Sequence, residues 1–138
     1  MSSPTLPIKV VEMLMRPNPA VMATVGSDGR PVTATAWFML QPDHTILFAL
    51  GAGRARVRHV QMDPRISLTV MASPGSTTHV SLQGWVDGIY TDVHRRDIDR
   101  LSEHYTGRPY ADRRSPRVTL RMHIGDWRLE RRVFGGLQ

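Results

Sequence analysis

The sequence predicts a mainly β fold of about six antiparallel strands with small helices. Short apolar runs recur at the length of strands, and helical periodicity is confined to three brief segments. Turn signals separate the runs, and Asp28-Gly29 is the clearest hairpin signal among them. Because a sheet of this size leaves its edges unpaired, we expect it to close into a barrel or to pair with a second copy.

The N-terminal half predicts one helix followed by three strands in a meander. Pro17 and Pro19 end the helix because proline cannot continue a helical hydrogen-bond ladder. Residues 1–7 carry prolines and serines and predict a flexible arm. The predicted elements are a helix over Ile8–Met15 and strands over Ala20–Val25, Pro31–Leu40 and Thr45–Leu50.

The C-terminal half alternates helices and strands. Gly84 predicts a bend in the longest strand. Asp92 is the predicted N-cap of an amphipathic helix that turns Val93, Ile98 and Leu101 inward. The predicted elements are helices over Arg54–Met62 and Asp92–His104 and strands over Arg65–Ala72, His79–Thr91 and Val118–Ile124, with Trp127–Phe134 extending the sheet.

Length and composition limit the class of protein. A chain of 138 residues with 41% hydrophobic residues is the size of one domain, so we expect a single domain over residues 1–138. No apolar run reaches the 18 residues of a membrane helix, so no membrane association is expected. The sequence contains no cysteine, which is compatible with the cytoplasm, and we expect a cytoplasmic location.

The net charge of +6 suggests an anionic partner. Lys9 is the single lysine, so arginine supplies the other cations, and its planar fork suits phosphate and carboxylate groups. The candidates are nucleic acid, an acidic membrane surface and a phosphorylated cofactor. Nucleic acid is disfavoured because no basic stripe alternates with exposed aromatics and no helix-turn-helix is recognisable.

Familiar catalytic motifs are absent from the sequence. The six histidines are scattered without helical metal-ligand spacing, so no metal site is expected. Only three glutamates are present, which disfavours a hydrolase with paired carboxylates. No side chain is predicted to be catalytic by itself, and any hard chemistry would come from a cofactor.

The segment from Gly51 to His59 is the most informative part of the chain. Two glycines lead from a strand into a short helix, and glycine allows a ligand to approach the backbone closely. The helix opens with Arg54, Arg56 and Arg58, although the positive end of a helix dipole favours acidic residues. A bound phosphate would reverse that penalty, so the segment predicts an anion site. A solvated arginine face is the alternative.

Four stretches together resemble the pyridoxamine 5′-phosphate oxidase-like superfamily. They are Asp28-Gly29-Arg30-Pro31, Ala36-Trp37-Phe38, Arg54 to His59, and Asp63 to Leu68. More narrowly, the sequence is similar to small flavin or deazaflavin oxidoreductases that use coenzyme F-420. The resemblance covers residues 18–90 well and continues weakly through residues 117–120.

The resemblance implies a six-stranded antiparallel split β-barrel of the FMN-binding type. It also implies a homodimer whose interface holds two cofactors, and a phosphate bound by Arg54 and Arg56 at the short helix. Within the family's usual pattern, Arg56 replaces a lysine and His59 an asparagine. The candidate cofactor-binding residues are Thr33, Thr35, Ala49, Leu50, Gly53, Arg54 and Arg56.

The resulting hypothesis is an oxidoreductase that transfers a hydride between coenzyme F-420 and a small unsaturated organic substrate. The alternatives are an FMN-dependent oxidoreductase and a non-catalytic flavin-binding dimer. Arg113-Arg114 and Arg131-Arg132 are interpreted as solvated charge, or alternatively as contacts for the acidic oligoglutamate tail of coenzyme F-420. Trp37 and Trp85 are interpreted as packing or interface residues.

Overall fold

The computed structural model describes residues 4–131, and these form a seven-stranded antiparallel sheet with small helices. The predicted mainly β class is therefore confirmed. The strands are β1 (Ala20–Val25), β2 (Pro31–Thr35), β3 (Met39–Leu40), β4 (Ile46–Gly51), β5 (Arg65–Met71), β6 (His79–Thr91) and β7 (Arg117–Glu130). The helices are α1 (Ile8–Leu14), α2 (Ala55–Met62) and α3 (Arg96–Thr106), and a 3-10 turn at Val93–Arg95 precedes α3.

The seventh strand arises because the predicted strand Pro31–Leu40 divides in two. Residues 36–38 leave the ladder between β2 and β3. Phe38 points into the core and is fully buried, while the Trp37 ring stacks on Tyr105 at 5.3 Å between centroids. Phe38 also meets the Tyr105 ring edge-on at 6.5 Å, and its N–H donates to the Tyr105 hydroxyl and not to a neighbouring strand, so the ladder is interrupted here.

The predicted meander is present as two hairpins, β1–β2 and β3–β4, because the predicted middle strand divides between them. The sheet order is β2-β1-β5-β6-β7-β4-β3, so the β1–β2 and β3–β4 hairpins occupy opposite edges. Only residues 36–38 connect the two edges, and a chain that short spans at most ~14 Å from Thr35 to Met39. The sheet must therefore curl until its edges approach each other, which gives a split barrel.

The main core fills the interior of the curled sheet. Its largest fully buried side chains include Phe38, Phe48, Met22, Leu68 and Leu120. Helix α1 adds Val10, Met13 and Leu14 to this core. Leu6, just before α1, is also buried in it. Residues 1–3 of the predicted arm lie outside the described part of the chain.

Helix α3 covers the outer face of β4 and forms a second, smaller core there. Ile98 and Leu101 pack against Leu47 and Ala49, as the amphipathic pattern requires. Val93 was predicted to face inward, but it is 56% exposed because it belongs to the 3-10 turn and not to the helix.

Asp92 caps α3 across that turn. Its carboxylate accepts hydrogen bonds from the backbone N–H groups of Asp97 at 2.8 Å and Ile98 at 2.9 Å. Two of the intervening residues, His94 and Arg95, adopt positive φ angles of 56°. The capping role of Asp92 is thus present, although the α-helix begins four residues after it.

Strand β7 is longer than predicted and joins the two halves of the sheet. The predicted strand Val118–Ile124 and its extension form one strand that pairs with β6 on one side and β4 on the other. The end of the predicted extension, residues 132–134, lies outside the described residues. At Gly84, where a bend was predicted, the register of β6 against β7 shifts. No helix within residues 4–131 is long and apolar enough to cross a membrane.

Candidate functional site

A cavity of about 710 Å³ opens beside the β2–β1–β5 edge of the barrel, next to the end of β4. Its volume lies within the range of small-molecule and cofactor sites. The residues that line it are Pro17, Pro19, Ala20, Val21, Thr35, Ala36, Trp37, Ala49, Leu50, Gly51, Arg54, Arg56, Thr69, Met71, Pro74, Ile98, Tyr105, Tyr110, Asp112, Ser115 and Arg117.

One wall of the cavity is a row of side chains across three strands. Val21 of β1 lies opposite Thr35 of β2 and, on its other side, opposite Thr69 of β5. Successive residues of a strand alternate between faces, so these three side chains share the outer face of the sheet. Met71 continues the wall along β5. The row carries no charge, and it combines two threonine hydroxyls with the apolar side chains of Val21 and Met71.

A second wall is built where β4 ends and α2 begins. Ala49, Leu50 and Gly51 line the cavity, and Arg54 follows them immediately before the helix. The first turn of α2 contains no acidic residue, and the Arg54 side chain caps no backbone group. The chain therefore places cations at the positive end of a helix, where an anion would be stabilised.

Arg56 is the more buried of the two arginines on this wall. Its Nη1 donates to the Thr35 carbonyl oxygen at 3.3 Å and contacts the Met22 sulfur at 3.1 Å. Burial, together with the nearby charge of Arg54, lowers the pKa of Arg56 from its ordinary value. No carboxylate of residues 4–131 forms an ion pair with either arginine. A bound anion would offset the electrostatic cost of holding the partly buried charge of Arg56 beside the charge of Arg54.

Aromatic rings form the floor of the cavity. Trp37 stacks on Tyr105 and meets the edge of Tyr110 at 6.3 Å between centroids. The Tyr105 hydroxyl donates to the Asn18 carbonyl oxygen at 2.9 Å and accepts from the Phe38 N–H at 3.4 Å. Burial raises the pKa of Tyr105 to about 12, so the phenol is a neutral structural group at physiological pH.

A third arginine of the cavity belongs to β7. The Nη2 of Arg117 donates to the Ala49 carbonyl oxygen at 3.1 Å, and its guanidinium lies 4.6 Å from the Tyr110 ring centroid. Asp112 and Ser115, from the preceding loop, line the same region. Hydrogen bonds from the Ser115 side chain and from the Arg114 and Ser115 N–H groups hold the pKa of Asp112 well below its usual range.

The structure brings most of the predicted site residues to this cavity. Thr35, Ala49, Leu50, Arg54 and Arg56 line it. Thr33 and Gly53 do not line it and are exposed, with Thr33 on the same face of β2 as Thr35. Their roles in cofactor binding remain predictions.

Sequence reasoning missed the aromatic floor and Arg117. Trp37, Tyr105, Tyr110 and Arg117 come from segments up to 80 residues apart, and their convergence depends on the sheet order. Of the two tryptophans interpreted as packing residues, Trp37 packs and also lines the cavity, and Trp85 stacks on His123. Arg113, interpreted as solvated charge, is partly exposed and pairs with Asp99 at 2.6 Å.

Metal-binding geometry is absent from the described part of the chain. No group of three or more histidine or acidic side chains within residues 4–131 could hold a metal ion. His59, the nearest histidine to the α2 arginines along the chain, pairs through Nδ1 with the Thr24 hydroxyl at 2.8 Å. His59 therefore has a structural partner in the barrel wall.

The curled antiparallel sheet defines a split-barrel protein, and its lateral cavity has the volume of a small-molecule site. The family model described as pyridoxamine 5′-phosphate oxidase matches residues 6–131. The chain therefore belongs to the pyridoxamine 5′-phosphate oxidase-like family of flavin-binding oxidoreductases. The resemblance inferred from the four sequence stretches is confirmed at this level.

Solved structures support the same fold. An F-420 reductase superposes with a TM-score of 0.79 at 23% identity, covering 89% of this chain and 98% of that one. A conserved hypothetical protein from Mycobacterium tuberculosis gives a TM-score of 0.70 at 21% identity, with coverage of 92% and 85%. General Stress Protein 26 from Bacillus anthracis gives 0.65 at 14% identity, with coverage of 88% and 90%. The comparison with curated proteins gives no match.

Proposed function

We propose that this protein transfers a hydride between bound coenzyme F-420 and a small unsaturated organic substrate. The observation that carries the proposal is the pair Arg54 and Arg56, which faces the cavity without an ion-pair partner among residues 4–131. Coenzyme F-420 and FMN both carry a phosphate that suits this pair. The similarity to an F-420 reductase favours the deazaflavin.

The side chains of the cavity have distinct roles in this proposal. Arg54 and Arg56 bind the phosphate through charge-assisted hydrogen bonds. A planar ring lies against Thr35 and the Ala49–Leu50 end of β4, and Trp37 excludes water from it. The deazaflavin, when bound, supplies the hydride chemistry. Hydrogen-bond donors on the cavity wall stabilise the negative charge that develops on the substrate.

FMN is the second candidate cofactor. The matching family model is described as pyridoxamine 5′-phosphate oxidase. Arg54 and Arg56 suit the phosphate of FMN as well as they suit that of coenzyme F-420. The oligoglutamate tail distinguishes the two cofactors, because it adds carboxylates that an arginine-rich protein attracts. A tighter complex with coenzyme F-420 than with FMN is therefore expected.

We also propose that the active form is a homodimer. The outer face of β1 and β5 carries Val21, which is 42% exposed, together with Thr69 and Met71. This uncharged face continues directly into the cavity, so a second copy packed on it would bury apolar surface and enclose the ligand.

The test is a pair of titrations of purified protein with FMN and with coenzyme F-420, followed by absorbance and fluorescence. Tighter binding of coenzyme F-420, with hydride transfer to an activated alkene under single-turnover conditions, supports the proposal. Copurification of FMN that coenzyme F-420 cannot displace makes the FMN enzyme the correct assignment. Binding of either cofactor without turnover of any acceptor favours the non-catalytic flavin-binding dimer.

A further inference from the structure

Arg117 is held in place more firmly than a solvated arginine. Its Nη2 donates to the Ala49 carbonyl oxygen, and the face of the guanidinium rests on the Tyr110 ring. Cation–π contacts and backbone hydrogen bonds restrict the rotamers of an arginine. A ligand that binds Arg117 therefore loses little affinity to the ordering of this side chain. The side chain is half-buried and lines the cavity.

The guanidinium of Arg117 has no carboxylate within ion-pair distance among residues 4–131. Other arginines nearby have carboxylate partners: Arg121, four residues along β7, pairs with Asp87 at 2.9 Å, and Arg113 pairs with Asp99. The Nε of Arg117 is buried and has no hydrogen-bond acceptor. A buried donor without an acceptor is costly, and an anion beside it offsets that cost.

The surroundings of Arg117 suit a carboxylate better than a phosphate. A single guanidinium matches the single charge and the planar geometry of a carboxylate. Asp112 lines the same region and keeps its negative charge, so it repels a doubly charged phosphate more strongly than a singly charged carboxylate. The phosphate is better accommodated by the two adjacent arginines, Arg54 and Arg56.

We propose that Arg117 is a second anion-binding residue of the cavity, specific for a carboxylate group. It makes the protein selective for ligands that carry an acid group. The carboxylate has two possible sources, an unsaturated carboxylic acid substrate or a glutamate of the cofactor tail. The proposal shares its cavity with the proposed function, but the binding of a simple carboxylate does not require a cofactor.

The first experiment uses cofactor-free protein with two probes of nearly equal shape, the anion trans-cinnamate and the neutral amide trans-cinnamamide. Quenching of tryptophan fluorescence reports binding because Trp37 lines the cavity. We expect wild type to prefer the acid, and Arg117→Gln to lose roughly ten- to a hundredfold of that preference. Arg121→Gln is the matched control, since Arg121 lies on the same strand outside the cavity, and it should keep the preference.

A second variant and thermal melts distinguish a loss of carboxylate binding from a loss of folding. Arg117→Lys keeps the charge but cannot bridge both carboxylate oxygens, so it should show an intermediate preference. Thermal melts of each variant establish that the fold is intact. Equal affinity of folded wild type for the acid and the amide would overturn the proposal. Equal losses in Arg117→Gln and Arg121→Gln would do the same, because they would indicate general charge alone.

The second experiment identifies the source of the carboxylate. FMN has a phosphate and no carboxylate, whereas coenzyme F-420 has both. If Arg117→Gln weakens coenzyme F-420 and leaves FMN unchanged, the tail supplies the group. If it weakens cinnamate alone, the substrate supplies it. Equal weakening of FMN and coenzyme F-420 would make Arg117 a phosphate ligand and contradict the proposal. Failure of wild type to bind either cofactor counts against the proposed function, and the cinnamate preference still decides the role of Arg117.

Discussion

Arg56 donates to the carbonyl oxygen of Thr35 at 3.3 Å, which ties the first turn of α2 to the end of β2. This contact joins two predicted site residues that are 21 positions apart. It orients the guanidinium at the rim of the cavity without neutralising it. The consequence for ligand binding can be measured directly.

Changing Arg56 to Ala should raise the dissociation constant of FMN by roughly ten- to a hundredfold, because it removes a charge-assisted donor to the phosphate. The stability of the cofactor-free protein should change little, since removal of a partly desolvated cation next to Arg54 offsets loss of the hydrogen bond to the Thr35 carbonyl. Arg58→Ala is the control, because Arg58 lies on the same helix, is exposed and is outside the cavity. Fluorescence titrations and thermal melts measure both effects. An equal loss of affinity in the control would exclude a specific role for Arg56.

Changing Asp92 to Ala should destabilise the protein by about 0.5–2 kcal/mol, because two N–H groups at the start of α3 lose their acceptor. Asp92→Asn should recover part of this loss, since an amide oxygen also accepts. Urea denaturation of the two variants and wild type gives the differences. Asp126→Ala serves as the control, as the Asp126 side chain accepts only from the next residue's N–H among the described contacts. An unchanged midpoint for Asp92→Ala would contradict the capping role.

Tyr105 should titrate later than an ordinary tyrosine, because burial raises its pKa to about 12. Between pH 10 and about 12 the folded protein keeps this proton and the unfolded chain loses it, so the free energy of unfolding should fall as pH rises through that window. Ultraviolet absorbance of phenolate follows the titration. The late step should disappear in Tyr105→Phe, and its persistence there would assign it to another tyrosine, such as Tyr90.

Gly84→Ala should be strongly destabilising. A Cβ at Gly84 would lie 1.8 Å from the His123 carbonyl oxygen, so β6 and β7 would have to separate at their bulge. Gly88→Ala is the matched control on the same strand, because its nearest new contacts are at 3.6 Å or beyond. Soluble yield and thermal midpoint report the difference. Comparable stability of the two variants would mean that the bulge can relax.

Light scattering should give a mass about twice the 15.6 kDa of one chain if the outer face of β1 and β5 joins two copies. Val21→Asp should shift the protein toward monomer by placing a charge in that face. Val93→Asp provides a comparison at another exposed valine, in the 3-10 turn beyond the proposed interface. A wild-type monomer that binds its cofactor at full affinity would disprove the dimer.

Local patterns predicted the elements better than their arrangement. The bounds of Ala20–Val25 and His79–Thr91 follow from apolar runs between turn residues, and the structure has the same bounds. Sheet order was not predictable in this way, because Leu50 pairs with Val118 and the sequence carries no local record of that partner. The division of the second strand at residues 36–38 depends on where Trp37 and Phe38 pack, which is also a tertiary effect.

The candidate site was likewise predictable where the signal was local and not predictable where it depended on tertiary contacts. Arg54 and Arg56 were found because arginine at a helix start conflicts with the helix dipole, which is a local signal. Arg117 gave no such signal, since its position depends on the pairing of β7 with β4 and on the loop that carries Tyr110. Thr33 and Thr35 share one strand face, but only Thr35 lines the cavity. The sequence does not show where a cavity ends, so it could not distinguish these two threonines.

The position of β7 between β6 and β4 also affects how the chain folds while it is being translated. Residues 46–50 are apolar and buried, and their strand has only the two-residue β3 beside it until β7 arrives. During translation this segment therefore leaves the ribosome long before its main partner, with an open edge of high β-propensity. Non-local pairing of this kind folds slowly and exposes nascent chains to association with one another. Defects in β7 should consequently appear in cells first as aggregation and chaperone dependence.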